Sequence, residues 1–151
     1  MSVTTVRRAL LAALCVACVA PAGASASSRL DRTEARIVRA MNEVRASHGL
    51  AKLRVSAALA RAADAHSKAM SRTRRFGHGD FARRVRRYVR ARRMAENIAL
   101  RRPCDARAIV SMWLNSAPHR AVMLSSAYRR VGVARRGSPV CYVTADFASA
   151  R

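Results

Sequence analysis

Apolar residues recur at helical spacing in the first half of the chain and alternate with polar ones toward its end. Ile37, Val38, Met41 and Val44 fall on one face of a helix. Asp31 and Glu34 just before them have capping-box spacing, with Asp in the place usually held by Ser or Thr. Gly49 supplies the stop, and His48 in the last turn can meet the terminal carbonyls. A second helix is predicted over 56–70, where Leu59, Ala62, Ala63, Ala69 and Met70 form the stripe. His66 sits beside that stripe and reads as a helix-face or packing residue. A polar loop over 71–79 carries Phe76 and His78. After it, Phe81, Val85, Tyr88 and Val89 predict one face of a basic amphipathic helix, with Arg83, Arg86, Arg87 and Arg90 on another. Residues 95–100 read as a short strand. Pro103 and Asp105 open a helix that runs to Trp113, with Asp105 as its cap and Trp113 as a core anchor. Residues 115–119 break it, and His119 to Leu124 make a short helical turn. Two strands, 130–134 and 140–147, close the chain around a turn at 135–139, and a hairpin is their simplest connection. Helices first and strands late predict an α+β fold, not a repeating βαβ sheet.

The N-terminus changes the count of residues available to that fold. Arg7 and Arg8 precede an apolar run from Ala9 to Ala20, and small residues follow through Ala26. This is the pattern of a secretory signal peptide over 1–26, cleaved after Ala26, with Ala24 as the alternative. The run is shorter than the roughly 20 residues a membrane span needs. Neither Cys15 nor Cys18 has the aliphatic residue three positions earlier that a lipid-anchor motif requires. Cleavage leaves one domain at 27–151 and two cysteines, Cys104 and Cys141. In an exported domain such a pair predicts a disulfide, worth roughly 4 kcal/mol for a loop of this length.

Charge is the most unusual bulk property. The net charge of +22 falls to +20 when Arg7 and Arg8 leave, and only Lys52 and Lys68 are lysines. Such a field draws polyanions, such as anionic lipids or envelope polymers. An arginine-rich, alanine-rich composition also reflects coding bias. Few aromatics and no helix-turn-helix or zinc-finger pattern argue against a specific nucleic-acid partner. A monomer is expected.

Candidate chemistry rests on His78, Glu96 and His119, each in a loop or near an element end. Two neutral imidazoles can hold zinc or another divalent cation, and a carboxylate behind them can orient a ring or accept a proton. The segments Met41-Asn-Glu-Val-Arg-Ala-Ser-His-Gly-Leu50, Phe76-Gly-His78, Ala95-Glu-Asn-Ile-Ala99, Trp113-Leu-Asn-Ser-Ala-Pro-His-Arg120 and Val131-Gly-Val133 occur in that order. As an ordered set they resemble the CAP superfamily of cysteine-rich secretory, antigen 5 and pathogenesis-related proteins, in its compact bacterial form, over about 33–147. The resemblance implies a three-layer α–β–α sandwich around a mainly antiparallel sheet. It also implies a cleft of His78, Glu96, Ser116 and His119, with His78 and His119 as metal ligands. Ser116 stands where many relatives carry a second glutamate, Ala95 where a glycine is frequent, and Ala117 lies in the Pro-His-Arg turn.

Three functions remain open at this stage. The first is a secreted, non-enzymatic module that binds an extracellular or envelope ligand, with a weakly held divalent ion; relatives are associated with sterol or lipid binding. The second is a metal-assisted hydrolase with Glu96 as orienting residue or base. The third is a cationic membrane-active protein. Arg83, Arg86, Arg87 and Arg90 are read as an anion-docking rim beside the cleft. No His-Glu-x-x-His helix and no Gly-x-Ser-x-Gly elbow is present, which argues against a zinc protease of that kind and the commonest serine hydrolases.

Overall fold

The structure, a computed structural model, describes residues 30–150, so the expected signal peptide lies outside the described residues. Helix α1 (Arg32–Ser47) starts on a full capping box. Asp31 accepts from the Glu34 N–H while Glu34 accepts from the Asp31 N–H, both at 2.8 Å. Gly49 follows it at φ +67°, where a left-handed residue ends the helix without Cβ strain. His48 meets the Val44 carbonyl at 2.9 Å. A two-residue strand, β1 (Arg54–Val55), leads into α2 (Ala57–Thr73), capped by Ser56. Then come α3 (Phe81–Arg86), β2 (Met94–Arg101), α4 (Ala106–Asn115), α5 (Ala117–Met123), β3 (Arg130–Arg136) and β4 (Cys141–Ala148).

The four strands form one sheet in the order β1-β3-β4-β2. Strands β3 and β4 form the expected hairpin, β2 pairs antiparallel with β4, and β1 joins β3 in parallel. Period-two alternation sorts β3 and β4 between two layers. Val131, Val133, Val143, Ala145 and Phe147 pack with Ile37, Met41, Ile109 and Trp113 of α1 and α4. Their alternates, Gly132, Thr144, Asp146 and Ala148, face α2. Ser67 of α2 donates to Thr144 Oγ1 at 2.9 Å, and Ala148 packs with Leu59 and Ala62. The architecture is therefore the three-layer α–β–α sandwich, its sheet antiparallel except at β1.

The disulfide is present between Cys104 and Cys141 and ties the entry of α4 to the start of β4. Arg45, fully buried, donates to the carbonyls of Ala51, Met123, Ser125 and Tyr128, so it staples the loops after α1 and α5. One expectation is corrected: α3 stops at Arg86, so Arg83, Arg86, Arg87 and Arg90 do not share one continuous helical face. Arg87 keeps helical backbone angles and the Val89 N–H still reaches the Val85 carbonyl, so Val85 and Val89 both pack into the Leu59 cluster, but no further helical turn follows. Among the described residues, no helix is long and apolar enough to cross a membrane.

Candidate functional site

Strand β2 is the free edge of the sheet on the side away from β1, and the candidate residues collect on both of its flanks. Glu96 points to the α2 face; its neighbour Asn97 points the other way. Glu96 is buried (8% exposed) and pairs in register with Asp146 of β4, which is fully buried. Two carboxylates side by side in a dry layer demand a cation. Arg84 of α3 supplies it: Nη2 donates to Glu96 Oε2 and to Asp146 Oδ1, the latter at 3.2 Å. Phe81, one turn earlier, lies under the same guanidinium, 5.9 Å from ring centroid to Cζ.

The second oxygen of Glu96 accepts from His78 Nδ1 at 2.8 Å. The His78 ring is half exposed, and its Nε2 is the ring nitrogen not engaged by the carboxylate. His66 completes this flank. Its Nε2–H donates to the Gly77 carbonyl at 2.9 Å, pinning the loop that carries His78, and lies 3.8 Å from Glu96 Oε2. Burial, aided by the Arg84 charge, holds the His66 pKa below its ordinary value despite Glu96. Asp146 moves the other way. Burial, against the pull of Arg84 and with a further push from Glu96, raises it to about 8. Its Oδ2 has no partner among the described residues, the atom on which a proton is readily accommodated.

On the opposite flank, Asn97 Nδ2 donates to the His119 carbonyl at 3.0 Å and fixes the start of α5 against β2. His119 Nδ1 and Ser116 Oγ are 2.9 Å apart, a hydrogen bond either can donate. The pKa of His119 is lowered by burial first and by the His78 charge second. The structure thus brings His78 onto Glu96 and Ser116 onto His119, the two pairs flanking β2. Arg83, Arg86, Arg87 and Arg90 are exposed and contribute no side-chain hydrogen bond to the cleft.

Three participants were missed or set aside in the sequence: Arg84, Asp146 and His66. Each had a signal. Arg84 lies at i+3 from Phe81 and next to Val85, a charge within the apolar stripe. Asp146 interrupts an apolar strand, Val143 to Phe147, at an inward position. His66 was read as a packing residue, which holds for its burial but not for its neighbours, because α2 sets it over Glu96. Among the described residues, no group of three or more His, Cys, Asp or Glu side chains converges as a metal centre.

Residues 38–147 match the cysteine-rich secretory protein family, CAP. Over 107 residues the chain is 36% identical to an uncharacterised membrane protein of Bacillus subtilis strain 168, YlbC, covering 67% of this chain and 31% of that protein. Among solved structures, an extracellular protein containing an SCP domain from Bacillus anthracis aligns with a TM-score of 0.72 and 28% identity, over 78% of this chain and 40% of the other. An outer surface protein of Borrelia burgdorferi aligns at 0.73 with 17% identity, over 80% and 95%, a likeness of fold alone. The chain therefore spans about a third of the Bacillus subtilis relative and two-fifths of the Bacillus anthracis protein.

Proposed function

The chain belongs to the cysteine-rich secretory protein (CAP) family, and from that premise we propose that it is an extracellular, non-catalytic binding module whose cleft weakly holds a divalent cation between His78 and His119. The relay from Arg84 through Glu96 to His78 carries the reading. Arg84 fixes the carboxylate, the carboxylate accepts a hydrogen bond from His78 Nδ1–H, and the ring keeps its Nε2 lone pair for an outside group. His119 matches it in the tautomer whose Nδ1–H donates to Ser116, and its lowered pKa keeps the ring neutral near pH 7. Two imidazoles suit zinc or a similar ion. Two protein ligands are fewer than the three of catalytic zinc sites, so affinity is modest. Such an ion would offer open coordination positions to an anionic or carbonyl-bearing ligand.

Glu96 supports binding over hydrolysis. Both of its oxygens are engaged, one by Arg84 and one by His78, and its side chain is almost wholly buried. A base must reach the proton it removes, and Glu96 is spent on positioning. An extracellular setting is supported by the disulfide and by the likeness to the extracellular Bacillus anthracis protein.

Calorimetric titration of the purified mature protein with zinc tests this. One ion per chain is expected, lost in His78→Ala and in His119→Ala, with affinity about 10- to 100-fold weaker in Glu96→Gln. No binding, or binding unchanged in His119→Ala, would overturn the proposal.

A further inference from the structure

We propose that a cationic groove at the β1 end of the sheet, which shares no residue with the cleft, is a docking site for a linear polyol-phosphate chain. Two adjoining cavities of about 690 and 1180 Å³ have Ser56, Arg130 and Ala150 in common and so form one channel. Lys52, Arg54, Arg90, Arg92, Arg129 and Arg130 line it, and no acidic side chain does. That concentration of unbalanced cations sets it apart from the cavity at Arg101, Ser111 and Ser116, which also lacks an acid but has a single cation. The cavity beside α1 that holds Arg36, Arg39 and Arg107 also holds Glu43 and Asp105, which neutralise it in part.

Three further observations point to a bound oxyanion. Arg130 is anchored by its Nε–H, which donates to the Ser149 carbonyl at 3.0 Å, while its Nη2 is out of water and unpartnered among the described residues. A buried guanidinium N–H without an acceptor is costly, and a small rotation of the side chain would bring it to a ligand oxygen in the channel. Ser56 and Ala58 bring the N-terminal turn of the 17-residue α2 to the channel, and that turn carries no acidic residue to offset its dipole. The positive charge is spread over both cavities, which suits a chain with repeated anions better than a single ion.

The lining also selects among phosphate polymers. Tyr88 is the one aromatic residue in either cavity, so successive bases would find no stacking platform. Val55, exposed, and Ala58 and Ala91, half-buried, instead offer aliphatic surface between the cations, matched to short aliphatic linkers between phosphates. The concave walls favour a strand lying in the channel over the flat face of a bilayer.

Fluorescence anisotropy with a labelled oligo(glycerol phosphate) at physiological salt, on the oxidised mature protein, tests the inference. The variant R54Q/R90Q/R92Q removes three exposed channel cations. Its control, R72Q/R74Q/R75Q, removes the same charge from the far end of α2, about 25 Å away at 1.5 Å per residue. The groove variant is expected to bind about tenfold or more weakly, and the control within about threefold of the unmodified protein. Arg92→Gln alone, outside every helix and strand, shows the same direction should the triple variant not fold. Equal losses in both variants would reduce the effect to net charge and overturn the proposal. So would no binding of the probe, tighter binding of an oligothymidylate with equal phosphates, or binding confined to anionic vesicles.

Discussion

At the scale of single residues, the cleft is organised by one guanidinium. Among the described residues, Arg84 is the only arginine or lysine in contact with Glu96 and Asp146, which are 8% and 0% exposed. Arg84→Met leaves two buried carboxyls without a counter-charge, and a loss of about 3–5 kcal/mol is expected in urea unfolding. Asp146 also sets a pH dependence. Its pKa is about 8 in the folded chain against 3.8 ordinarily, so the folded state holds a proton that the unfolded state releases between those values. Stability therefore falls as pH rises through that window. His66, lowered by burial, acts oppositely but only below 6.5, where the unfolded chain takes up the proton first. Glu34, also raised by burial, slopes in the same direction as Asp146, and Asp146→Asn is expected to reduce the slope between pH 6.5 and 8 in thermal melts. A slope unchanged by the substitution would show that Asp146 is ionised at neutrality. His78, Glu96 and His119 were legible in the sequence because their motifs occur in a fixed order. Arg84 was hidden among the many other arginines, where residue type carries almost no information.

At the scale of elements, helices with caps were read closely and short or tertiary-determined pieces were not. Asp31, Ser56 and Asp105 each accept a backbone N–H of the first turn, so α1, α2 and α4 start where the sequence predicts. Strand β1 escaped notice because it has two residues, both exposed, and exists only by pairing with β3. Helix α3 was drawn too long because its periodicity persists to Val89, beyond its last residue, Arg86. The contact of α2 with β3 depends on a position whose role no local pattern reveals. A Cβ on Gly132 would stand 2.0 Å from the Ala60 nitrogen and 2.1 Å from the Leu59 carbonyl carbon. Both are helix backbone, so no side-chain rotation relieves the overlap. Gly132→Ala must lift α2 off the sheet, and a loss of about 3 kcal/mol or more is expected. Since α2 also carries His66, the same substitution is expected to loosen the cleft. A melting temperature unchanged in Gly132→Ala would contradict this packing.

At the scale of the whole molecule, the acidic residues are too few to balance the charge and are nearly all spent internally. Of eight, Asp31, Glu34, Asp80 and Asp105 cap helices, Glu96 and Asp146 share Arg84, and Asp64 pairs with Arg136. Only Glu43 makes no side-chain hydrogen bond or ion pair among the described residues. The remaining surface is thus a shell of cations repelling one another, held together by the core and by a disulfide worth roughly 4 kcal/mol across its loop. Salt acts on these two parts differently. The exposed repulsions are long-ranged and are screened once the screening length falls to about 8 Å, near 0.15 M. The Arg84 cluster is buried and contacts its partners directly, so salt hardly reaches it. Melting temperature is therefore expected to rise from low salt to about 0.15 M and then level off, in the oxidised and the reduced protein alike, with the reduced curve lower throughout. A melting temperature that falls over the same range would mean that surface ion pairs such as Arg135–Asp31 outweigh the repulsion, and the +22 of the sequence would no longer describe the force the fold works against.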